Sequence, residues 1–372
     1  MHKTTQVEYL HKEVNRKHIL WFAPSNQWLQ LDEPQWFIFL LYEQGVGAEE
    51  AARSFAARWG VAWEQAQQQV SGIYLSLRQL YQPEFELPDF SRDAEEVAHV
   101  MLEKSKTRYY SFAGMHFGIT YGSALLDHYI HPSLAHLACT PAAGGPVFEV
   151  FPFRERYALR IRTQQLQCFT TDEYPQQKRL LFVKMASAFY DLDERHWTGL
   201  LHASAVERNG KVLLLASPSG SGKSTLAAML LQHGFGFYSD DFVPVEKSRV
   251  YPFPASLCLK EVSHWPLPGV PPFHRTHGKT GYIDPPPSFK LPEPLAAKAL
   301  CFVNYIPGAG CNLEALPTER AMQLFLPESW VGDRPETAKA WLDWFCQLPC
   351  YQLQYHDNAA AIAAMQKLMD TP

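Results

Sequence analysis

The apolar positions of this chain follow two patterns. Between residues 200 and 260 they come in short unbroken runs; before residue 85 they recur at helical spacing. Short apolar runs bounded by turn residues read as strands buried on both faces. Val212 to Ala216 is such a run, and a Ser/Gly-rich turn and a helix-forming stretch from Thr225 to Gln232 follow it. Ahead of it, Leu200 to Val206 reads as one strand. Asn209-Gly210 then signals a hairpin that pairs this strand, with His202, to the Val212 strand. Val250 to Lys260, Ala299 to Tyr305 and Tyr351 to Tyr355 read as further strands. Glu336 to Leu348 reads as a helix with Trp341, Trp344 and Phe345 on its apolar face, and Asn358 to Met369 as a terminal helix.

Residues 1–85 read as a separate unit. Ile19 to Ala23 and Gln27 to Leu31 are short strands around Pro24-Ser25-Asn26. Asp32 and Pro34 open a helix. A second spans Ala48 to Trp59, and a third runs from Trp63 to about Leu80, with Val70, Ile73, Leu77 and Leu80 near helical spacing. The stretch Pro83 to Pro88 reads as a linker. From Val97 to Thr170 the pattern reads as strands and loops, with Tyr109 to Tyr121 aromatic and partly alternating; a helix from Gln177 to Phe189 follows.

Composition narrows the class. The 372 residues are 47% apolar and 19% charged, which suits a globular chain. A net charge of −5 argues against a general nucleic-acid binder. No apolar run reaches the roughly 18–20 residues of a membrane span, and no signal peptide opens the chain. The seven cysteines are scattered, so free thiols and a cytoplasmic setting are expected. His116, His128, His131 and His136 lack metal-ligand spacing and read as ordinary hydrogen-bonded or exposed histidines.

The chemistry concentrates at Ser217-Pro-Ser-Gly-Ser-Gly-Lys-Ser-Thr225. A strand, a small-residue turn and a helix N-terminus in that order form a phosphate-binding loop. Ser219, Gly220, Ser221, Gly222, Lys223, Ser224 and Thr225 are its candidate nucleotide contacts. Lys223 would reach the outer phosphates and Ser224 would sit on Mg²⁺. The strict pattern has Gly where this chain has Ser217. Asp240-Asp241 follows at the end of the next apolar segment. Two close carboxylates there can hold a metal and take the proton of an attacking hydroxyl. The plainer reading of the pair is a solvated turn. Downstream, Arg275 and Lys279 lie on a Gly-containing loop and read either as a phosphate clamp or as an exposed basic loop.

The stretch LLHASAVERNGKVLLLASPSGSGKSTLAAMLLQHGFGFYSDDFVPVE resembles the core of the HPr serine kinase family and its HPr-kinase-related branch. The resemblance covers residues 195–260 and fades beyond. It implies an active-site role for His202, a nucleotide loop at 220–225, and general-base duty for Asp240 in an acidic pair, which leaves Asp241 as the candidate metal ligand beside Ser224. Reverse phosphate removal and homo-oligomers, hexamers among them, occur in that family. The phrase AARSFAARWGVAWEQAQQQVSGIYLSLRQL resembles the middle and last helices of the PqqD-like domains, or RiPP recognition elements, which bind leader peptides. A DNA-binding winged helix would present a basic face, but only Arg53 and Arg58 stand against Glu49 and Glu50 on the second helix.

The expectation is an α/β protein: a winged-helix peptide-recognition domain at 1–85, then a P-loop kinase domain of HPr-kinase type at 86–372. It would use ATP and Mg²⁺ to phosphorylate a hydroxyl of a peptide or small protein, with no nucleic-acid or membrane partner. The alternatives are a small-molecule, sugar-type kinase and an ATP-binding regulator without transfer.

Overall fold

The structure, a computed structural model, describes residues 9–83, 89–142, 144–163, 165–218, 220–260, 270–287, 289 and 293–371. Its α/β character is spread over four sheets among the described residues. At the N-terminal end β1 (Tyr9–Val14), β2 (Lys17–Phe22) and β3 (Gln27–Leu31) form an antiparallel sheet, followed by α1 (Glu33–Glu43), α2 (Ala48–Trp59) and α3 (Trp63–Tyr81). The pattern anticipated all of these but β1, which mixes Tyr9, Leu10 and Val14 with polar and charged residues and has no fully buried position. The Asp32 side chain accepts from the Gln35 backbone N–H at 2.9 Å, and the Asp32 N–H donates to the Gln35 side chain at 3.0 Å. That reciprocal cap fixes the start of α1.

A second sheet follows. α4 (Ala94–Ala98) leads to β4 (Lys106–Phe112), β5 (Met115–Tyr121), α5 (Ala124–Leu134), β6 (Val147–Phe153), β7 (Arg156–Arg162), β8 (Leu166–Thr171) and α6 (Tyr174–Tyr190). The strands lie in chain order. The aromatic run from Tyr109 to Tyr121 is a hairpin that turns at Ala113-Gly114, both at positive φ. The helix α5 escapes the sequence pattern because Pro132 sits inside it. It crosses between β5 and β6, which pair in parallel and so need a crossover.

The largest sheet belongs to the remaining chain. Its elements are β9 (Gly199–Leu201), β10 (Ser204–Arg208), β11 (Lys211–Ala216), α7 (Lys223–Leu231), β12 (Gly236–Asp240), β13 (Val243–Glu246), β14 (Arg249–Val250), β15 (Leu257–Lys260), β16 (Arg275–His277), β17 (Thr280–Ile283), β18 (Leu295–Tyr305), β19 (Asn312–Ala315), α8 (Thr318–Phe325), β20 (Ser329–Val331), α9 (Pro335–Gln347), β21 (Cys350–Tyr355) and α10 (Asn358–Asp370). The order runs β12-β10-β11-β18-β14-β13-β9-β20, with β21 on β18 and β19 on β21. β11, β18 and β21 are parallel. Asn209 and Gly210 join β10 to β11 at φ of 56° and 70°, the turn their pairing signals.

Two expected strands are broken. Leu200 to Val206 divides into β9 and β10, which stand in different parts of the sheet, and His202 lies at the break. Val250 to Lys260 divides into β14 and β15 because Pro252 and Pro254 cannot donate to a ladder. β15 instead joins β17 and β16 in a small antiparallel sheet.

The N-terminal sheet packs on α9 and β20. Trp28 meets Trp341 with ring centroids 5.1 Å apart, and Ile19 is buried in the same apolar cluster. Lys12 pairs with Asp343 at 2.7 Å, and the Asn26 side-chain amide donates to the Val331 carbonyl at 3.3 Å.

Candidate functional site

The turn between β11 and α7 curls because Gly220 and Gly222 take φ of 89° and 100°, where a Cβ is strained. Gly222 caps α7, and its carbonyl accepts from the Leu226 N–H at 2.8 Å. Ser217, in place of the usual first glycine, donates its hydroxyl to the Val303 carbonyl at 2.6 Å and ties the turn to β18. Lys223 is buried, and its ammonium donates to the Ser217 and Pro218 carbonyls. Burial holds its pKa below the usual lysine range, against the pull of Glu328, Asp240 and Asp241. The Ser221 hydroxyl is buried with no hydrogen-bond partner among the described residues. Thr225 follows in the first turn of α7, and Ser219 lies outside the described residues.

The two aspartates point to different chemistry. Asp240 ends β12 and is 1% exposed. Its carboxylate accepts from the Ser204 hydroxyl at 2.5 Å, the Ser224 hydroxyl at 3.0 Å and the Cys258 N–H at 2.9 Å. Burial, reinforced by the charge of Asp241, pushes its pKa up to about 6 despite those bonds. Asp241 takes a φ of 64°, which swings the next carboxylate away from the first. Half-exposed, it bonds His202 Nε2 at 2.9 Å and faces the Lys178 ammonium at 3.8 Å. Burial would raise its pKa, but the His202 hydrogen bond, Lys178 and Lys260 hold it well below the carboxylate range.

His202 is gripped from both sides. Its Nδ1 meets Glu328 at 2.6 Å and its Nε2 meets Asp241. The Asp241 hydrogen bond, with help from Glu328, raises the imidazole pKa against partial burial and Lys223. The backbone fixes this pairing, because the His202 N–H donates to the Glu328 carbonyl at 2.8 Å where β9 lies beside β20. Beside the trio opens a pocket of about 300 Å³ walled by Tyr129, Phe182, Phe242 and Trp330, with Lys178, Arg179 and Lys260 on its lining.

Most of the expected site residues therefore converge. His202, Lys223, Ser224, Asp240 and Asp241 form one connected group, but the geometry exchanges the places expected for the two aspartates. Asp240, not Asp241, sits with Ser224. Arg275 is no free clamp: its guanidinium binds Asp284, the Ser256 hydroxyl at 3.0 Å and the Pro132 carbonyl at 3.2 Å. Lys279 is exposed between β16 and β17. Of the four histidines, His131 bonds the Tyr110 hydroxyl at 2.9 Å, His136 bonds Ser256 at 3.1 Å and His128 contacts His277. His116 lies 4.0 Å from the Cys139 sulfur. Sequence reasoning missed Glu328, Lys178, Arg179 and Lys260 as site residues, and nothing in their local sequence marks them.

The arrangement suits a hard divalent cation between Ser224 and Asp240. The donors are oxygens, and Asp240 is a buried carboxylate with no lysine or arginine bonded to it among the described residues. Asp241 and His202 suit proton handling.

No family model matches the chain, and no curated protein does. Among solved structures, the Hpr(Ser) kinase/phosphatase from Coxiella burnetii is similar at 12% identity, covering 45% of this chain and 96% of that one, with a TM-score of 0.23. No helix among the described residues is long and apolar enough to cross a membrane.

Proposed function

We propose that the protein is an ATP-dependent kinase that transfers the γ-phosphate to a hydroxyl of a peptide or small protein. The observation that carries this reading is the pair of adjacent aspartates with divided duties. Asp240 joins Ser224 at the phosphate loop, while Asp241 joins His202 and Glu328 at a separate pocket. A regulator that only senses ATP needs the first set and not the second.

In this reading the backbone N–H groups of residues 220–225 and Lys223 bind the triphosphate, Lys223 leaving its loop carbonyls to do so. Ser224 and Asp240 would hold Mg²⁺, which supplies charge neutralisation at the phosphates. The acceptor hydroxyl enters the pocket beside Asp241. Its oxygen forms the new bond to the γ-phosphorus as the bond to the β–γ bridging oxygen breaks, and its proton passes to Asp241. A carboxylate held this low is a weak base, which suits a loose transition state that loses the proton late. The His202 imidazolium, fixed by Glu328, orients Asp241 and adds positive charge near the transferring group.

The three N-terminal helices and their sheet serve as the winged-helix recognition unit. β3 ends that sheet and can accept an extended segment as an added strand. Asn26 of this unit touches Val331, next to Trp330 on the pocket wall, so a bound leader would place its downstream residues near the pocket. A second reading, a kinase for a free small molecule, draws on the pocket's modest volume of about 300 Å³. Mass spectrometry of small peptides and of sugars incubated with the protein and Mg-ATP separates the two. The expected result is one added phosphate on a peptide, lost when its leader is removed. Phosphorylated sugars with unmodified peptides would overturn the peptide assignment.

A further inference from the structure

Among the described residues, the charges that line the pocket do not balance. Among the described residues Asp241 and Glu328 are the acidic groups on its lining, and both are engaged by the single ring of His202. Against them stand His202 itself, Lys178 and Arg179. Lys178 is spoken for: it faces Asp241 at 3.8 Å and lies over the Tyr129 and Phe182 rings at 5.3 Å each. Arg179, next along α6, is exposed on the lining and forms no hydrogen bond or ion pair among the described residues. A guanidinium offers a planar fork of donors that matches a carboxylate or phosphate. Surplus cationic charge in a cleft raises the local concentration of anions and selects among partners by charge.

Two oxyanions could answer that surplus, the phosphoryl group in transit or an anion on the acceptor. The first is already served by Lys223 and by the Ser224–Asp240 metal position on the other side of the aspartate pair. The pocket, at about 300 Å³, has room for a hydroxyl side chain and one neighbour. Building on the kinase reading above, we propose that the pocket selects an acceptor hydroxyl with a carboxylate beside it, an acidic segment of the substrate peptide, and that Arg179 reads that carboxylate.

The test uses the intact protein, Mg-ATP and two sets of short single-serine peptides, one with glutamate flanking the serine and one with glutamine. The glutamate set should show a KM about 10-fold lower, the effect of one charge-assisted contact. In Arg179→Gln the gap between the sets should shrink to within about 2-fold, and Arg179→Lys should restore part of it. Arg179 is exposed, so none of these variants puts folding at risk. A loss of kcat in Arg179→Gln that is equal for both sets would place the guanidinium on the transferred phosphoryl group and overturn the proposal. Equal KM values for both sets in the unaltered protein would overturn it and leave the kinase reading standing. No transfer to any peptide while Mg-ATP binds would overturn both.

Discussion

The two sides of the site are built in opposite ways. The side proposed for the nucleotide comes from one stretch: Ser204, the loop at 217–225, Asp240 and the Cys258 backbone. The side proposed for the acceptor gathers Tyr129 from α5, Lys178 and Arg179 from α6, His202 from a strand break, Glu328 from the approach to β20 and Trp330 from β20 itself. Triphosphate has the same shape in every substrate complex, so a local strand, turn and helix can recognise it. An acceptor has no such fixed shape. Its pocket is assembled by sheet order, which brings β9 beside β20 although more than a hundred residues separate them.

The largest expected effect tests that division. Asp241→Asn keeps the shape and removes the proton acceptor, so transfer should fall by about 10²–10⁴ while Mg-ATP affinity stays within a few-fold. Asp240→Asn should do the reverse in binding: Mg-ATP affinity falls because the negative charge that would hold Mg²⁺ beside Ser224 is lost. Calorimetric titration with Mg-ATP beside single-turnover transfer reads both quantities. If Asp240→Asn kept its Mg-ATP affinity and Asp241→Asn lost it, the division of labour between the two carboxylates would be inverted.

The same contrast explains what the sequence made legible. The loop, the Asn209-Gly210 hairpin and the aspartate pair are local signals, and each stands where its residues put it. Which aspartate faces which partner was not legible. It depends on one backbone angle, the φ of 64° at Asp241, and on where Ser224 and His202 arrive from elsewhere. Glu328 was invisible because the 326–328 turn carries no motif; only the ladder between β9 and β20 gives it meaning. The Val250–Lys260 strand failed on a rule readable in the sequence, two prolines in an apolar run, whereas α5 failed because a helix can tolerate Pro132 against expectation.

A smaller effect is expected at Glu328, which reaches the acceptor only through His202. Glu328→Gln removes a charge from Nδ1 and should let the imidazole pKa drop back toward its ordinary value, with the Asp241 bond still holding it up. If the imidazolium is the working form, activity declines as pH rises through the His202 pKa. The variant should then lose activity at lower pH than the parent, and near neutral pH its transfer should be slower by about 3–10-fold. An unchanged pH–rate profile with the same loss of rate would mean that Glu328 is only a packing contact.

The smallest effect concerns stability, and here the two sides should part in acid. On the acceptor side, burial lowers the pKa of His131, at the end of α5, and of His136 just beyond it, each to about 4. Arg108, Asp127 and Lys106 also act on His131, Asp284 and His274 act on His136, and Arg275 acts on both. A histidine with a depressed folded pKa contributes fully above the unfolded value near 6.5, and that contribution is lost as pH falls toward about 4. On the nucleotide side Asp240 is shifted the other way, up to about 6 from a carboxylate's 3.8, so it favours the folded state more as pH falls through that window. Between pH 6.5 and 4, then, α5 should lose protection while α7 and β12 keep theirs. Hydrogen exchange, corrected for the intrinsic pH dependence of the amide rate, measures this segment by segment. Replacing His136 by Asn should flatten the response of α5 and leave that of α7 alone. Uniform loosening of both regions across the same range would mean that the two sides open as one cooperative unit, and that their separate construction does not extend to their stability.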